Sequence, residues 1–469
     1  MLESYNKALI KIIPSKQLLD KTAILMRKTN KKGGARHFLL KKRIKFVLRP
    51  VIALALCLCL VWGAVFFNNN TYFGSTILAK ADSPNTEFAK HILDEQYIKG
   101  VQDLGGLSLS FEAQNNKDEN QLVSPISLSM CGAMLMSGAS GNTYDELKQA
   151  LQYGSLSEQQ INEQNKLAYN KFAVASDGLK ISLSNGIWYN KSTNILDSFL
   201  NGCKSNFYAD VFSQDFSDNN GVVNNVNKWV NNKTSGMINK IIDKVNPDEV
   251  MYLINAVSFE GQWETPFDKS LTQPDRFTTS SGSTITANFM KSGANTVEYK
   301  GTADFDAVKI PYKGNMYMVL ALPSEGKTPV QLLQNNNDMA TILAANWQYA
   351  DKEASNAQVI MPKFNFDKDF DLKPLLNSLG VKEAFDQNNA DFTRMDQNKE
   401  LFVNSAKQKT YISLDEEKTK AAAITFFSHM VNSSMPKNEP IIITFNHPFL
   451  FAITDEQGLP LFMGIVNKP

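Results

Sequence analysis

Histidine, cysteine and serine set the first limit on what chemistry this chain can do. Of its four histidines, three follow an apolar stretch near the N-terminus: His91, His429 and His447. None belongs to a Gly-x-Ser-x-Gly elbow, a His-Glu-x-x-His pair or a Cys/His metal spacing, and there is no Gly-rich phosphate loop. His447, in Asn-His-Pro-Phe, reads as a residue leading into a strand. Cys57 and Cys59 sit in the apolar stretch, which leaves Cys131 and Cys203 as too few for a disulfide framework. Cys131 lies among apolar residues and reads as a small buried hydrophobe. No enzyme activity, cofactor or metal is expected. The sequence offers instead a segment that a partner could act on. Residues 415–425 run Asp-Glu-Glu-Lys-Thr-Lys-Ala-Ala-Ala-Ile-Thr. At period two, Thr419, Ala421, Ala423 and Thr425 are all small, while the alternate set carries Lys418, Lys420 and Ile424. A face so free of bulk can enter a tight gap between strands, whereas a helix would show an apolar stripe at period 3.6.

The elements that would hold such a segment announce themselves upstream and downstream. Asn120-Gln-Leu-Val-Ser-Pro-Ile-Ser-Leu-Ser-Met is followed by Gly138-Ala-Ser-Gly-Asn-Thr-Tyr-Asp-Glu-Leu and by Val226-Asn-Lys-Trp-Val-Asn-Asn-Lys-Thr-Ser-Gly-Met-Ile. Then come Leu253-Ile-Asn-Ala-Val-Ser-Phe-Glu-Gly-Gln-Trp-Glu-Thr-Pro-Phe, Met361-Pro-Lys-Phe, Leu379-Gly-Val and Asp391-Phe-Thr-Arg-Met. Phe445-Asn-His-Pro-Phe-Leu-Phe and Pro460-Leu-Phe-Met-Gly-Ile-Val close the series. In this order, over residues 101–469, the chain resembles the serpins, and residues 415–425 resemble the hinge of their reactive-centre loop.

The resemblance implies an α+β fold with three β-sheets, about nine helices and an exposed loop that inserts into a sheet once it is cut. It implies a suicide-substrate inhibitor of an extracellular serine or cysteine protease, held as a covalent acyl complex; the alternative is a non-inhibitory serpin-fold binding or chaperone protein. The hinge would comprise Glu416, Glu417, Lys418, Thr419, Ala421, Ala423 and Thr425, with Lys418 standing where the family usually has glycine. The family's spacing from Glu416 places the reactive bond at Asn432–Ser433, with Val431 and Met430 as alternatives. Asn432 would suit an asparagine-specific cysteine protease, and Val431 or Met430 an elastase- or subtilisin-like serine protease. Lys363, Glu416 and Trp263 match the positions that close the top of the sheet. Ser124, Ser127, Asn227 and Gln408 match the polar cluster under its middle, where Gln408 replaces a histidine and removes a titratable group.

Charge and hydropathy divide the rest of the chain. With 469 residues, 43% hydrophobic and 20% charged, it can bury a large core, and residues 101–469 are read as one domain. Residues 1–50 hold 14 basic and 2 acidic residues, while residues 82–469 hold 33 and 45. An acidic body argues against a nucleic-acid partner. Residues 51–67 lack any charge and reach roughly 25 Å as a helix, the short end of what spans a bilayer. With the basic flank retained in the cytoplasm, the body is exported, as expected of a prokaryotic-like member carrying a transmembrane anchor or signal segment. The alternatives are a retained anchor at residues 51–67 or cleavage near Ala81, in Ala79-Lys-Ala81. Met1 and Met26 are both candidate starts. Residues 68–100 read as a tether, partly helical around Glu87 to Ile98, and a monomer is expected.

Overall fold

The structure is a computed structural model that describes residues 75–81, 83–173, 178–247, 249–293, 297–347, 356–398, 401–404, 406–417 and 441–469. The basic and apolar N-terminal stretches, the hinge from Lys418 to Thr425 and the expected reactive bond with its neighbours Met430 and Val431 lie outside these residues. Among the described residues, no helix is long and apolar enough to cross a membrane.

The element order is β1 (Ser75–Ala79), α1 (Glu95–Asn115), β2 (Gln121–Val123), α2 (Pro125–Ser137), α3 (Gly141–Ala150), α4 (Glu158–Ala173), β3 (Leu179–Asn190), α5 (Asp197–Phe207) and β4 (Ala209–Gln214). It continues through α6 (Asn219–Lys233), β5 (Met251–Gly261), β6 (Gln273–Thr278), β7 (Thr284–Lys291), β8 (Val297–Gly301), β9 (Phe305–Tyr312) and β10 (Met316–Pro323). The last third holds α7 (Pro329–Gln334), α8 (Asn336–Ile342), β11 (Asn356–Pro362), β12 (Phe364–Asp371), α9 (Leu372–Ser378), β13 (Lys407–Leu414), β14 (Ile441–Thr444), β15 (Phe449–Asp455) and β16 (Pro460–Val466). Nine α-helices and three sheets among the described residues give the α+β class that the sequence implied.

Three sheets organise these strands. A four-stranded sheet has the order β1-β4-β3-β5, and β12 pairs only with β13. The third sheet has ten strands, β2-β16-β15-β10-β9-β8-β11-β7-β6, with β14 parallel on β11. β15 and β16 are buried along their whole length, so they read as continuous apolar runs.

Local chemistry explains the helices beneath the sheets. Asp94 caps α1 by accepting from the backbone N–H groups of Gln96 and Tyr97. Pro125 starts α2 with φ already set and no donor to lose. α2 is apolar around most of its circumference and buries Ile126, Leu128, Met130, Ala133, Met134 and Met136, as a core helix must. Under β3 and β4, Trp188 stacks on Phe212 at 4.0 Å and meets the edge of Trp229 at 5.2 Å. Gly186 makes room for this cluster, since a Cβ there would lie 2.7 Å from the Trp188 ring.

Residues ahead of the boundary at residue 101 also pack on the body. β1 pairs antiparallel with β4, the Ala81 N–H donates to Asp210 at 2.7 Å, and α1 opens at Glu95 with Tyr97 and Ile98 buried. The stretch expected to be a tether, partly helical around Glu87 to Ile98, thus includes an edge strand, with its backbone hydrogen bonds supplied by β4.

Candidate functional site

The central feature is a seam. β5 and β13 lie beside each other, yet among the described residues no strand pairing joins them: β5 ends one sheet and β13 belongs to another. Their C-terminal ends meet. The Trp263 indole N–H donates to the Asp415 carbonyl at 2.9 Å, and the Phe267 N–H donates to the Glu416 carbonyl at 2.9 Å. Trp263 is fully buried and stacks on Tyr312 at 4.2 Å, so its donor is held in place by packing.

Glu416 brings a charge to this junction while remaining only 5% exposed. Its carboxylate accepts from the Thr272 hydroxyl at 2.8 Å and pairs with Lys363 Nζ at 3.1 Å. Burial pushes its pKa up, but a backbone N–H, Thr272 and Lys363 together outweigh burial and hold it below the ordinary glutamate value. The sequence-derived trio of Lys363, Glu416 and Trp263 is therefore gathered at one point.

A second fastening lies farther down the seam, where α2 spans it. On the β13 side, Gln408 donates through Nε2 to the Ser124 carbonyl at 3.0 Å and accepts from the Ser124 N–H at 3.0 Å. Ser124 Oγ donates to the Leu461 carbonyl at 2.7 Å instead of capping its helix. On the β5 side, the Ser127 hydroxyl donates to Asn255, whose Nδ2 donates to Asn185 Oδ1 at 2.6 Å. Asn185 passes the chain on to the Phe207 carbonyl at 2.6 Å. Each side of the seam is bound to α2, Gln408 through Ser124 and Asn255 through Ser127.

Asn227 is not in this cluster. It sits on α6, where its side chain accepts from the N–H groups of Ile241 and Ile242 and donates to the Ile242 carbonyl, closing the loop after the helix. Asn255 and Asn185 fill the role expected of it. Their signal was present in the sequence: each interrupts an apolar strand, and a polar side chain facing a core needs a hydrogen-bonded partner there. Elsewhere, burial pushes the Cys131 and Cys203 thiols up to about 12, away from the thiolate; Cys203 is fully buried, while Cys131, expected to be buried, is half-buried. His447 lies between β14 and β15, and burial lowers its pKa.

Two half-sheets lie side by side here, clasped at one end, joined by no strand pairing among the described residues and tied to a common helix. That is the serpin architecture. The profile of the serpin (serine protease inhibitor) family matches residues 105–469, and the chain belongs to this family. It is 28% identical over 374 residues to alpha-1-antitrypsin 1-3 of Mus musculus, covering 78% of this chain and 88% of the relative. It is 29% identical over 367 residues to neuroserpin of Homo sapiens, covering 75% and 87%. Among solved structures, the thermophilic serpin tengpin in its native state superposes with a TM-score of 0.72 at 28% identity, covering 84% of this chain and all of that one. Tengpin in its latent state gives 0.66 at the same identity, covering 80% and 98%.

Proposed function

We propose that this serpin traps an extracellular serine or cysteine protease by suicide inhibition. The observation that carries the reading is the seam between β5 and β13, which no strand pairing crosses among the described residues and whose sides meet at the top and each bind α2 farther down. A chain leaving β13 at Glu417 and turning back into the seam runs antiparallel to both neighbours and gains two ladders of perpendicular hydrogen bonds. The protease's nucleophile attacks the carbonyl carbon of Asn432, with Val431 and Met430 as neighbouring alternatives. The bond to Ser433 breaks, the new Ser433 amine leaves with its proton, and an ester or thioester joins loop to protease. Insertion of Thr419, Ala421, Ala423 and Thr425 must then outrun hydrolysis of that bond. Small side chains on the inward set keep burial cheap, whereas a charge there would be costly.

The decisive test compares Thr419→Arg with Lys420→Glu. A guanidinium on the inward set costs several kcal/mol on insertion unless paired, and each ~1.4 kcal/mol slows a step about tenfold. Thr419→Arg should be cut as fast as the parent yet form little covalent complex by intact mass, with a C-terminal fragment starting at Ser433. Lys420→Glu should inhibit nearly as the parent does. Equal effects of the two substitutions, or a parent turned over as plain substrate across a protease panel, would favour the binding or chaperone reading. Lys418, in place of the family's usual glycine, is the residue that keeps this alternative open.

The body is placed outside the cell, on a membrane anchor at residues 51–67 or released by cleavage near Ala81, and acts as a monomer. The bond from the Ala81 N–H to Asp210 supports retention, because it ties the cleavage motif into the folded body. External protease should strip the body from intact cells; protection until permeabilisation would reverse this topology.

A further inference from the structure

Three residues at the end of β13 are gripped by one short connection. After β5, the chain between Trp263 and Thr272 supplies the Trp263 indole to Asp415, the Phe267 N–H to Glu416 and the Thr272 hydroxyl to Glu416. The same connection forms a 3-10 turn at Lys269–Leu271, capped by Asp268 through the Ser270 N–H. Lys269 on this turn pairs with Glu417 at 2.7 Å. Glu417 is the last described residue of the hinge, and its N–H is held by the Asp415 side chain at 3.0 Å. This pair therefore lies one residue farther along the hinge than the Lys363–Glu416 pair and, unlike it, joins the connection after β5 to the end of β13, since Lys363 adjoins β12 on the β13 side.

We infer that Lys269 is a positioning residue for loop insertion: its ion pair with Glu417 is an outer electrostatic latch that slows entry of the hinge into the seam. The inference rests on the insertion mechanism proposed above. Lys269 is 60% exposed and Glu417 24% exposed on their side chains, so the latch works through water-screened charge and not through packing. Lys363 is already engaged by Glu416, and both acidic neighbours, Asp415 and Glu416, reinforce the field at Lys269. The hinge has to leave this grip before Thr419 can enter, and the loss of one exposed pair makes release easier by a small factor.

The test uses the full chain and a synthetic acetylated peptide with the sequence of residues 418–430, whose uptake is followed by native gel and by the rise in thermal stability. At about 0.05 M salt, Lys269→Ala should take up the peptide about twofold to fivefold faster than the parent, within the span of exposed ion pairs. Lys269→Glu should be faster still, and Lys269→Glu with Glu417→Lys should return to within about twofold of the parent. In ~1 M NaCl, where screening acts over about 3 Å, the differences should vanish. A merely structural role for Lys269 would survive high salt and would not be rescued by exchanging the charges. Parent-like uptake by Lys269→Ala and Lys269→Glu, or a swapped pair as fast as Lys269→Glu, overturns the latch. If neither parent nor variants take up peptide at any salt, the insertion mechanism itself falls, and the latch with it.

Discussion

The two fastenings of the seam are built from opposite chemistry. At the top, the halves touch each other directly, through an indole, a backbone amide and a buried carboxylate that accepts from Thr272 across the seam and pairs with Lys363 on its own side. In the middle, Gln408 and Asn255 each bind α2 instead, through neutral, buried amides and hydroxyls. In the insertion proposed above, the top would break bonds as a strand enters, and the middle would slide over a helix whose contacts belong to each half separately. Charge is concentrated at the top, beside the hinge, and is absent from the bonds of the middle.

The largest expected effect falls at the top. Trp263→Ala removes a fully buried ring from its stack on Tyr312 and deletes the bond to Asp415. Truncations of this kind cost about 3–5 kcal/mol. Denaturant titration should show that loss, with faster loop insertion alongside it. Trp263→Phe keeps most of the packing and should cost about 0.5–1.5 kcal/mol through loss of the indole bond to the Asp415 carbonyl. If the two substitutions prove equally mild, the top is held by charge alone and the contrast reduces to Glu416.

Next comes the middle. Asn255→Ala strands the Ser127 hydroxyl and the Asn185 carbonyl in a dry site, at about 2–3 kcal/mol. It should also ease opening, measured as uptake of the peptide of residues 418–430. Asn227→Ala should loosen the Ile241–Ile242 loop without changing uptake. Should Asn227→Ala open the seam as much as Asn255→Ala, the middle fastening would extend to α6, and Asn227 would belong to it alongside Asn255.

Those two asparagines also mark how far the sequence carries. The small side chains at Thr419, Ala421, Ala423 and Thr425 follow from size and period, which the chain displays openly, whereas the motif around Trp263 spoke only through the resemblance to the serpins. The trio of Lys363, Glu416 and Trp263 was legible because each member lies in a distinctive motif. Asn227 and Asn255 both lie in quoted motifs, and spacing alone does not say which one faces α2. That depends on the pairing of β3 with β5, which sets Asn185 opposite Asn255. Register between strands about 70 residues apart is a tertiary property, fixed by packing and not by local preference. Lys269 was missed for a related reason: it is an ordinary surface lysine until the 3-10 turn carries it to Glu417. β1 was overlooked because a five-residue edge strand has little pattern of its own and is defined by β4.

The smallest effect separates the fastenings by pH. Glu416 has its pKa held below the ordinary 4.5 in the folded protein. Its contribution is fully present above that unfolded value and is lost as pH falls through the lower folded one. The middle has no such group, because Gln408 does not titrate. Gln408→His supplies one. In this buried, neutral site, desolvation should place the imidazole below its unfolded value of about 6.5. The variant should then match its parent above pH 7 and lose stability as pH falls from there towards 5. Each tenfold weakening of proton binding by the folded imidazole adds about 1.4 kcal/mol to that loss. Asp455 complicates any single curve. Burial, reinforced by Glu456, pushes it up to about 6. A raised carboxylate pKa stabilises the folded state as pH drops through that value, opposite in sign to the histidine effect. The quantity to measure is therefore the difference in denaturant midpoint between Gln408→His and the parent at pH 7.5, 6 and 5, in which Asp455 cancels. A growing deficit towards acid would show that the middle fastening senses charge once it holds a titratable group. A constant difference would mean that the imidazole reaches water, and that the middle is less dry than the bonds to Ser124 require.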